Sequence, residues 1–179
     1  LAFTALDKLW VMDLAGCPAS GCTPRRLTRS PHEVGEHQPV WSPDGRFIAY
    51  VSWTETGGDI FRVSATGNGA PEKLPRSTAF YTDPNYTPNG ARIVAYRGPR
   101  QPRLEEGFNY GRELVWIPAA GGATTSIAPV NGGFPHFTRN DNDRVFITQG
   151  STGLVSMRFD GTDRKTHLKV TGNPDYRQT

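Results

Sequence analysis

No stretch of about 18 apolar residues occurs in this 179-residue chain, so no segment is long enough to cross a membrane as a helix. The opening LAFTALDKLW lacks a basic start followed by an apolar run. No signal peptide is therefore expected within it, and it reads instead as the middle of a strand pattern. A one-sided charge is also missing. Twenty Lys and Arg are interleaved with 17 Asp and Glu, for a net charge of +3. Nucleic-acid binding needs a concentrated basic stripe, so nucleic acid is not expected as a partner.

The catalytic signatures are absent too. An α/β-hydrolase nucleophile needs Gly-x-Ser-x-Gly, and Gly150-Ser151-Thr152-Gly153 has the wrong spacing. The four histidines, His32, His37, His136 and His167, include no His-x-His pair of the amidohydrolase kind. Phosphate-cradling glycine loops are missing. His32 and His37 in HEVGEH evoke a zinc-protease helix, but they stand at i and i+5 rather than i and i+4. Gly35, Pro31 and Pro39 also disfavour a helix there. No catalytic residue, metal or cofactor is expected.

Cysteine is scarce: Cys17 and Cys22 are the only two. Four residues separate them, and Pro18 and Gly21 favour a reversal. A small disulfide loop is the preferred reading, and two free thiols in a surface loop are the other. A bridge would place the protein outside the reducing cytosol.

Glycine and proline are abundant, at 20 and 15, and they recur at intervals. Three segments align: HQPVWSPDGRFIAYVS from His37, TDPNYTPNGARIVAYR from Thr82 and GFPHFTRNDNDRVFIT from Gly133. Each sets a proline (Pro39, Pro84, Pro135) two residues before an aromatic (Trp41, Tyr86, Phe137). A turn and an apolar β-rich run follow. Asn173-Pro174-Asp175-Tyr176 opens a fourth copy. The period is about 40–50 residues, the length of a propeller blade. Asp-Gly and Asn-Gly supply hairpin turns. Alternating runs such as Asp59–Val63 and Glu113–Ile117 supply third strands, and short polar segments the outer fourth strands.

The expected fold is therefore all-β: a partial or small β-propeller of about four blades, each of four antiparallel strands. The expected divisions are 1–36 (a blade without its inner strand), 37–81, 82–131, 132–172, and 173–179 as the inner strand of a next or closing blade. A closed four-bladed ring and an excerpt of a larger propeller both remain, with the excerpt favoured because both ends cut the repeat at arbitrary points.

WSPDGRFIAYVS followed by DIFRVSATGNGAPEKL resembles the repeat of TolB-like propellers, and DKLWVMDL with RRLT is similar to its latter half. Such propellers occur in periplasmic TolB. They also occur fused to bacterial amidohydrolases and prolyl-oligopeptidase-like peptidases. The resemblance implies an exported bacterial protein and a module that binds or gates.

Two places are candidate sites. Residues before the repeat prolines converge on the axis of a propeller, which suggests a polar channel mouth of His37, Gln38, Asp83, His136, Asn173 and Asp175. The alternative is a water-filled axis. The insertion Arg97–Arg112, RGPRQPRLEEGFNYGR, carries Arg100, Arg103, Phe108 and Tyr110. That composition suits an interface, with a mobile surface loop as the alternative. Its partner would be a catalytic domain, or a second copy could join through open sheet edges. Asn140–Asp143 reads as a hairpin turn rather than a calcium loop. The repeat aromatics, Trp41 among them, read as packing between blades.

The leading functional reading is a non-catalytic module that binds protein or peptide. The alternative is the substrate-gating propeller of a larger hydrolase. A free-standing propeller enzyme is disfavoured for want of clustered acids at the axis.

Overall fold

The computed structural model describes residues 1–99, 112–130, 132–149 and 153–169, and every described element is a strand. The first sheet is β1 (Ala2–Ala5), β2 (Lys8–Val11) and β3 (Arg25–Arg26). Three sets of four follow. One is β4 (Gly35–Trp41), β5 (Phe47–Thr54), β6 (Gly57–Ser64) and β7 (Glu72–Lys73). The next is β8 (Phe80–Tyr86), β9 (Arg92–Gly98), β10 (Glu113–Pro118) and β11 (Thr125–Ala128). The last is β12 (Gly133–His136), β13 (Arg144–Gln149), β14 (Gly153–Arg158) and β15 (Lys165–Leu168).

Each set is an antiparallel meander in chain order. The middle two are not fully separate: a single parallel bridge, Gly58 to Phe80, joins β6 to β8 and makes one eight-stranded sheet. Gly58 has no room for a side chain at this point. A Cβ there would lie 2.3 Å from Trp53 Cδ1.

The sheets stack as successive blades, and the apolar clusters show how. Leu9, Val11 and Leu27 of the first sheet pack on Ile48, Tyr50 and Val63. Ala49 and Ile60 pack on Tyr81, Ile93 and Val115. Val94, Tyr96 and Leu114 pack on Val145, Ile147 and Met157. Neighbours along one strand, Ile48 and Ala49 or Ile93 and Val94, serve opposite interfaces, as a period of two requires. Both faces of each middle sheet are therefore buried, and that is why β5 and β9 read as continuous apolar runs.

The hairpins between first and second strands share one chemistry. Ser42 Oγ donates to Asp44 Oδ1 at 2.6 Å, and Arg46 N–H donates to the same oxygen. Thr87 Oγ1 and Ala91 N–H do the same to Asn89 Oδ1. Gly45 and Gly90 then take φ of 70° and 69°, where other residues are strained. In the third copy Asp141 Oδ1 accepts from Asp143 N–H.

Trp41 corrects the expectation that every repeat aromatic packs between blades: it is 40% exposed, whereas Tyr86 at the matching position is 6% exposed. Tyr86 lies on β8 against β5 and β6, eight residues each, while β4 lies against β1, which has four. The shorter neighbour leaves the indole uncovered.

Candidate functional site

The three inner strands, β4, β8 and β12, lie side by side in that order. Each breaks register at its repeat proline: between His37 and Val40, Thr82 and Asn85, and Gly133 and His136. The residue before each proline sits in the left-handed region, with φ of 53° at Gln38, 53° at Asp83 and 49° at Phe134. Proline itself disfavours a helical neighbour, and a left-handed non-glycine residue costs about 1–3 kcal/mol. The bulge is therefore a built feature, and it re-aims one side chain per blade.

Two of these side chains meet. Gln38 Nε2 donates to Asp83 Oδ1 at 3.0 Å, and Asp83 N–H donates to Gln38 Oε1 at 2.8 Å. Arg112 then donates to Asp83 Oδ2 at 3.3 Å and to Thr82 Oγ1. Its guanidinium lies 4.7 Å from the centre of the Tyr96 ring. Asp83 and Arg112 are 17% and 16% exposed, so the pair is partly sheltered from solvent screening. Burial raises the Tyr96 phenol well above its ordinary value, against a smaller opposing pull from Arg112. Asn85 Nδ2 carries the linkage to the last blade by donating to the Pro135 carbonyl at 2.8 Å.

His37 turns the other way. Its ring packs 4.4 Å from Trp53, which stacks on Phe80, and its Nε2 lies 3.6 Å from Asp7 Oδ1. His37 thus joins the first two sheets, whereas Gln38 joins the second and third. His136 is exposed on β12. Asn173 and Asp175 lie outside the described residues, as do Arg100, Arg103, Phe108 and Tyr110, and with them the closing strand around Asn173–Tyr176.

The register sets the described ends of the insertion, Arg97–Gly98 and Arg112, beside the first half of β8. Gly98 pairs with Phe80, and Arg97 pairs with Glu113. Arg112, at the far end of the insertion, reaches Thr82 and Asp83. The Arg97–Glu113 pair closes the stem of the insertion, with Ser126 donating to Glu113 Oε2. Burial opposes ionisation of Glu113, yet the hydrogen bonds from Ser126 and Arg97 hold its carboxyl below the usual value.

Two large apolar residues are exposed at backbone turns and bulges. Leu6 is 89% exposed in the β1–β2 turn and Phe134 is 65% exposed. Both have positive φ, 52° and 49°. Phe134 and Arg112 were within reach of sequence reasoning: the first matches Gln38 and Asp83 in the repeat, and the second is the last residue of the insertion.

One Ser–His contact invites a catalytic reading. Ser156 Oγ lies 2.6 Å from His167 Nε2. Ser156 is fully buried, and Arg144 also donates to its Oγ, so the hydroxyl faces no substrate. Among the described residues no group of three His, Cys, Asp or Glu could hold a metal ion. Cys17 and Cys22 are joined by a disulfide, their Cα atoms 4.8 Å apart.

No family model matches the chain, and no curated protein does. Solved structures do. A protein assigned as TolB from Agrobacterium tumefaciens aligns over 88% of this chain and 60% of its own, with a TM-score of 0.61 and 19% identity. The chain has the fold of a TolB-like β-propeller. An oligogalacturonate lyase in complex with manganese aligns over 92% of this propeller and 46% of its own chain, with a TM-score of 0.66 and 15% identity. A puromycin-hydrolyzing peptidase of Mycobacterium tuberculosis aligns over 95% and 29%, with a TM-score of 0.63 and 18% identity. The propeller thus spans less than two thirds of the length of each.

Proposed function

We propose that this propeller is a non-catalytic binding module whose channel mouth takes a polypeptide segment. The observation that carries the reading is the pairing of strain with exposure. Leu6 and Phe134 hold large apolar side chains in solvent, in backbone conformations that bulky residues avoid. Solvent leaves that apolar surface uncovered, and a bound apolar side chain would cover it. The Gln38–Asp83–Arg112 network, built at the repeat position that Phe134 also occupies, offers amide, carboxylate and guanidinium groups to a peptide backbone. The Cys17–Cys22 bridge supports an extracytoplasmic location, periplasmic in a bacterium.

The test replaces Phe134 with the photo-crosslinker p-benzoylphenylalanine and selects binders from a random-peptide display library. Enriched peptides are expected to crosslink at position 134 and to be lost on Arg112→Gln. A probe at Asn89, in the β8–β9 turn at the opposite end of the blade, should not crosslink. Equal crosslinking at both positions would reject the reading.

A second reading rests on the similarity to the peptidase, of which the alignment covers 29%. In that reading the same mouth admits substrate to a catalytic domain. It requires a hydrolase domain in the same coding sequence.

A further inference from the structure

Asparagine is chemically labile, and most so before glycine, where no side chain blocks attack by the following backbone nitrogen. Three asparagines in this chain precede glycine: Asn68, Asn89 and Asn131. Asn131 lies outside the described residues. The structure treats the other two differently.

Asn89, in the β8–β9 turn, is tied down. Its Oδ1 accepts from Thr87 Oγ1 at 2.8 Å and from Ala91 N–H at 3.0 Å. Its own N–H donates to Asn142 Oδ1 at 2.9 Å. Gly90 N–H, the group that would attack, donates to the Thr87 carbonyl at 2.8 Å. Asn68 lies in the loop between β6 and β7. Neither its side chain nor Gly69 N–H has a hydrogen-bond partner among the described residues. Gly69 has a φ of 93°, and nothing lies within 4 Å of a Cβ built on it. Both asparagines are exposed, so hydrogen bonding separates them and access to water does not.

We propose that Asn68 is a site of ring-mediated deamidation in the folded protein, and that the fold protects Asn89. Gly69 N loses its proton and bonds to Asn68 Cγ. The bond from Cγ to the side-chain nitrogen breaks, and ammonia leaves with the proton. One water then opens the five-membered imide at either carbonyl, giving isoaspartate or aspartate. The new carboxylate arrives on a loop whose Gly67 and Gly69 line a cleft with Arg29, which has no ion pair among the described residues. Conversion therefore sets a negative charge beside an unpaired arginine.

Folded protein is incubated at mildly alkaline pH, digested with trypsin at mildly acidic pH, and mapped by mass spectrometry. Electron-transfer fragmentation separates isoaspartate from aspartate. Cleavage after Arg62, Lys73, Arg76 and Arg92 puts Asn68 and Asn89 on different peptides. A second sample is held unfolded in guanidinium chloride throughout the incubation. In the folded sample Asn89 should convert at least about tenfold more slowly than Asn68, because its hydrogen bonds must break first. In the unfolded sample the two rates should agree within about threefold, since glycine follows both. Equal conversion of the two in folded protein would overturn the proposal. So would an Asn68 that converts only when unfolded, or that yields aspartate without isoaspartate. The same ratio in both samples would show that local sequence sets it, and would equally overturn the proposal.

Discussion

Gln38 and Asp83 occupy one repeat position in successive inner strands, and each satisfies the other: amide to carboxylate at 3.0 Å, backbone N–H to amide oxygen at 2.8 Å. Equivalent residues of neighbouring blades thus hold each other between adjacent inner strands. The strain of two left-handed residues is offset by a reciprocal pair of hydrogen bonds. Phe134, third in the series, has an apolar side chain and cannot take part in such a pair.

That difference makes Phe134 the position where stability and binding should separate. Phe134→Gly relieves the left-handed strain and removes an exposed side chain. The variant should gain about 1 kcal/mol in denaturant unfolding while losing affinity for peptides selected at the mouth. A loss of stability would show that the ring packs against the fold.

The disulfide closes a short loop in an exposed segment. By chain-entropy reasoning for a loop this small, reduction should cost about 2 kcal/mol and leave the sheets intact. Thiol alkylation followed by mass spectrometry should find two reactive thiols only after reductant. Alkylation of untreated protein would contradict the bridge.

Glu36 fastens the first sheet to the second. It is fully buried, and its Oε2 accepts from Leu9 N–H at 2.8 Å and from Thr28 Oγ1 at 2.5 Å. Glu36→Ala strands two buried donors, each worth about 1–3 kcal/mol. Glu36→Gln retains an acceptor and should cost less. Hydrogen exchange at Leu9 is expected to accelerate far more in the alanine variant than at Ile93, which lies in another interface. Uniform acceleration would instead mean global unfolding.

Glu113 gives the fold a pH dependence. Its carboxyl titrates below the ordinary value of 4.5 in the folded protein, so the unfolded chain binds its proton more readily. Its contribution is complete above that value and fades as pH falls through the lower folded value. Wild type should therefore lose more stability than Glu113→Gln between pH 5 and about pH 3. Parallel melting curves over that range would remove Glu113 from the account.

Much of the fold was legible because the signals agreed. Proline, aromatic, turn and apolar run recur together from His37, Thr82 and Gly133, and each four-stranded meander begins near one of them. The left-handed residues were not legible. Gln38 and Asp83 precede proline, and local preference argues against that conformation. It accompanies the register shift that each inner strand makes at its repeat proline. Sequence spacing also set His37 beside Gln38 in one site, whereas the bulge sends them to different blades. Arg112 follows a long insertion, so its approach to Asp83 depends on the pairing of β9 with β10. The exposure of Trp41 depends on the length of the neighbouring strand, which its own motif does not encode.

The central claim is that side chains at one repeat position, 45 residues apart, meet between adjacent inner strands. A double-mutant cycle on Gln38→Ala and Asp83→Ala tests it by denaturant unfolding. Two reciprocal hydrogen bonds, one to a carboxylate, predict a coupling of about 1–3 kcal/mol. Additive losses, with no coupling beyond error, would mean that the two residues do not touch and that the mouth is not built this way.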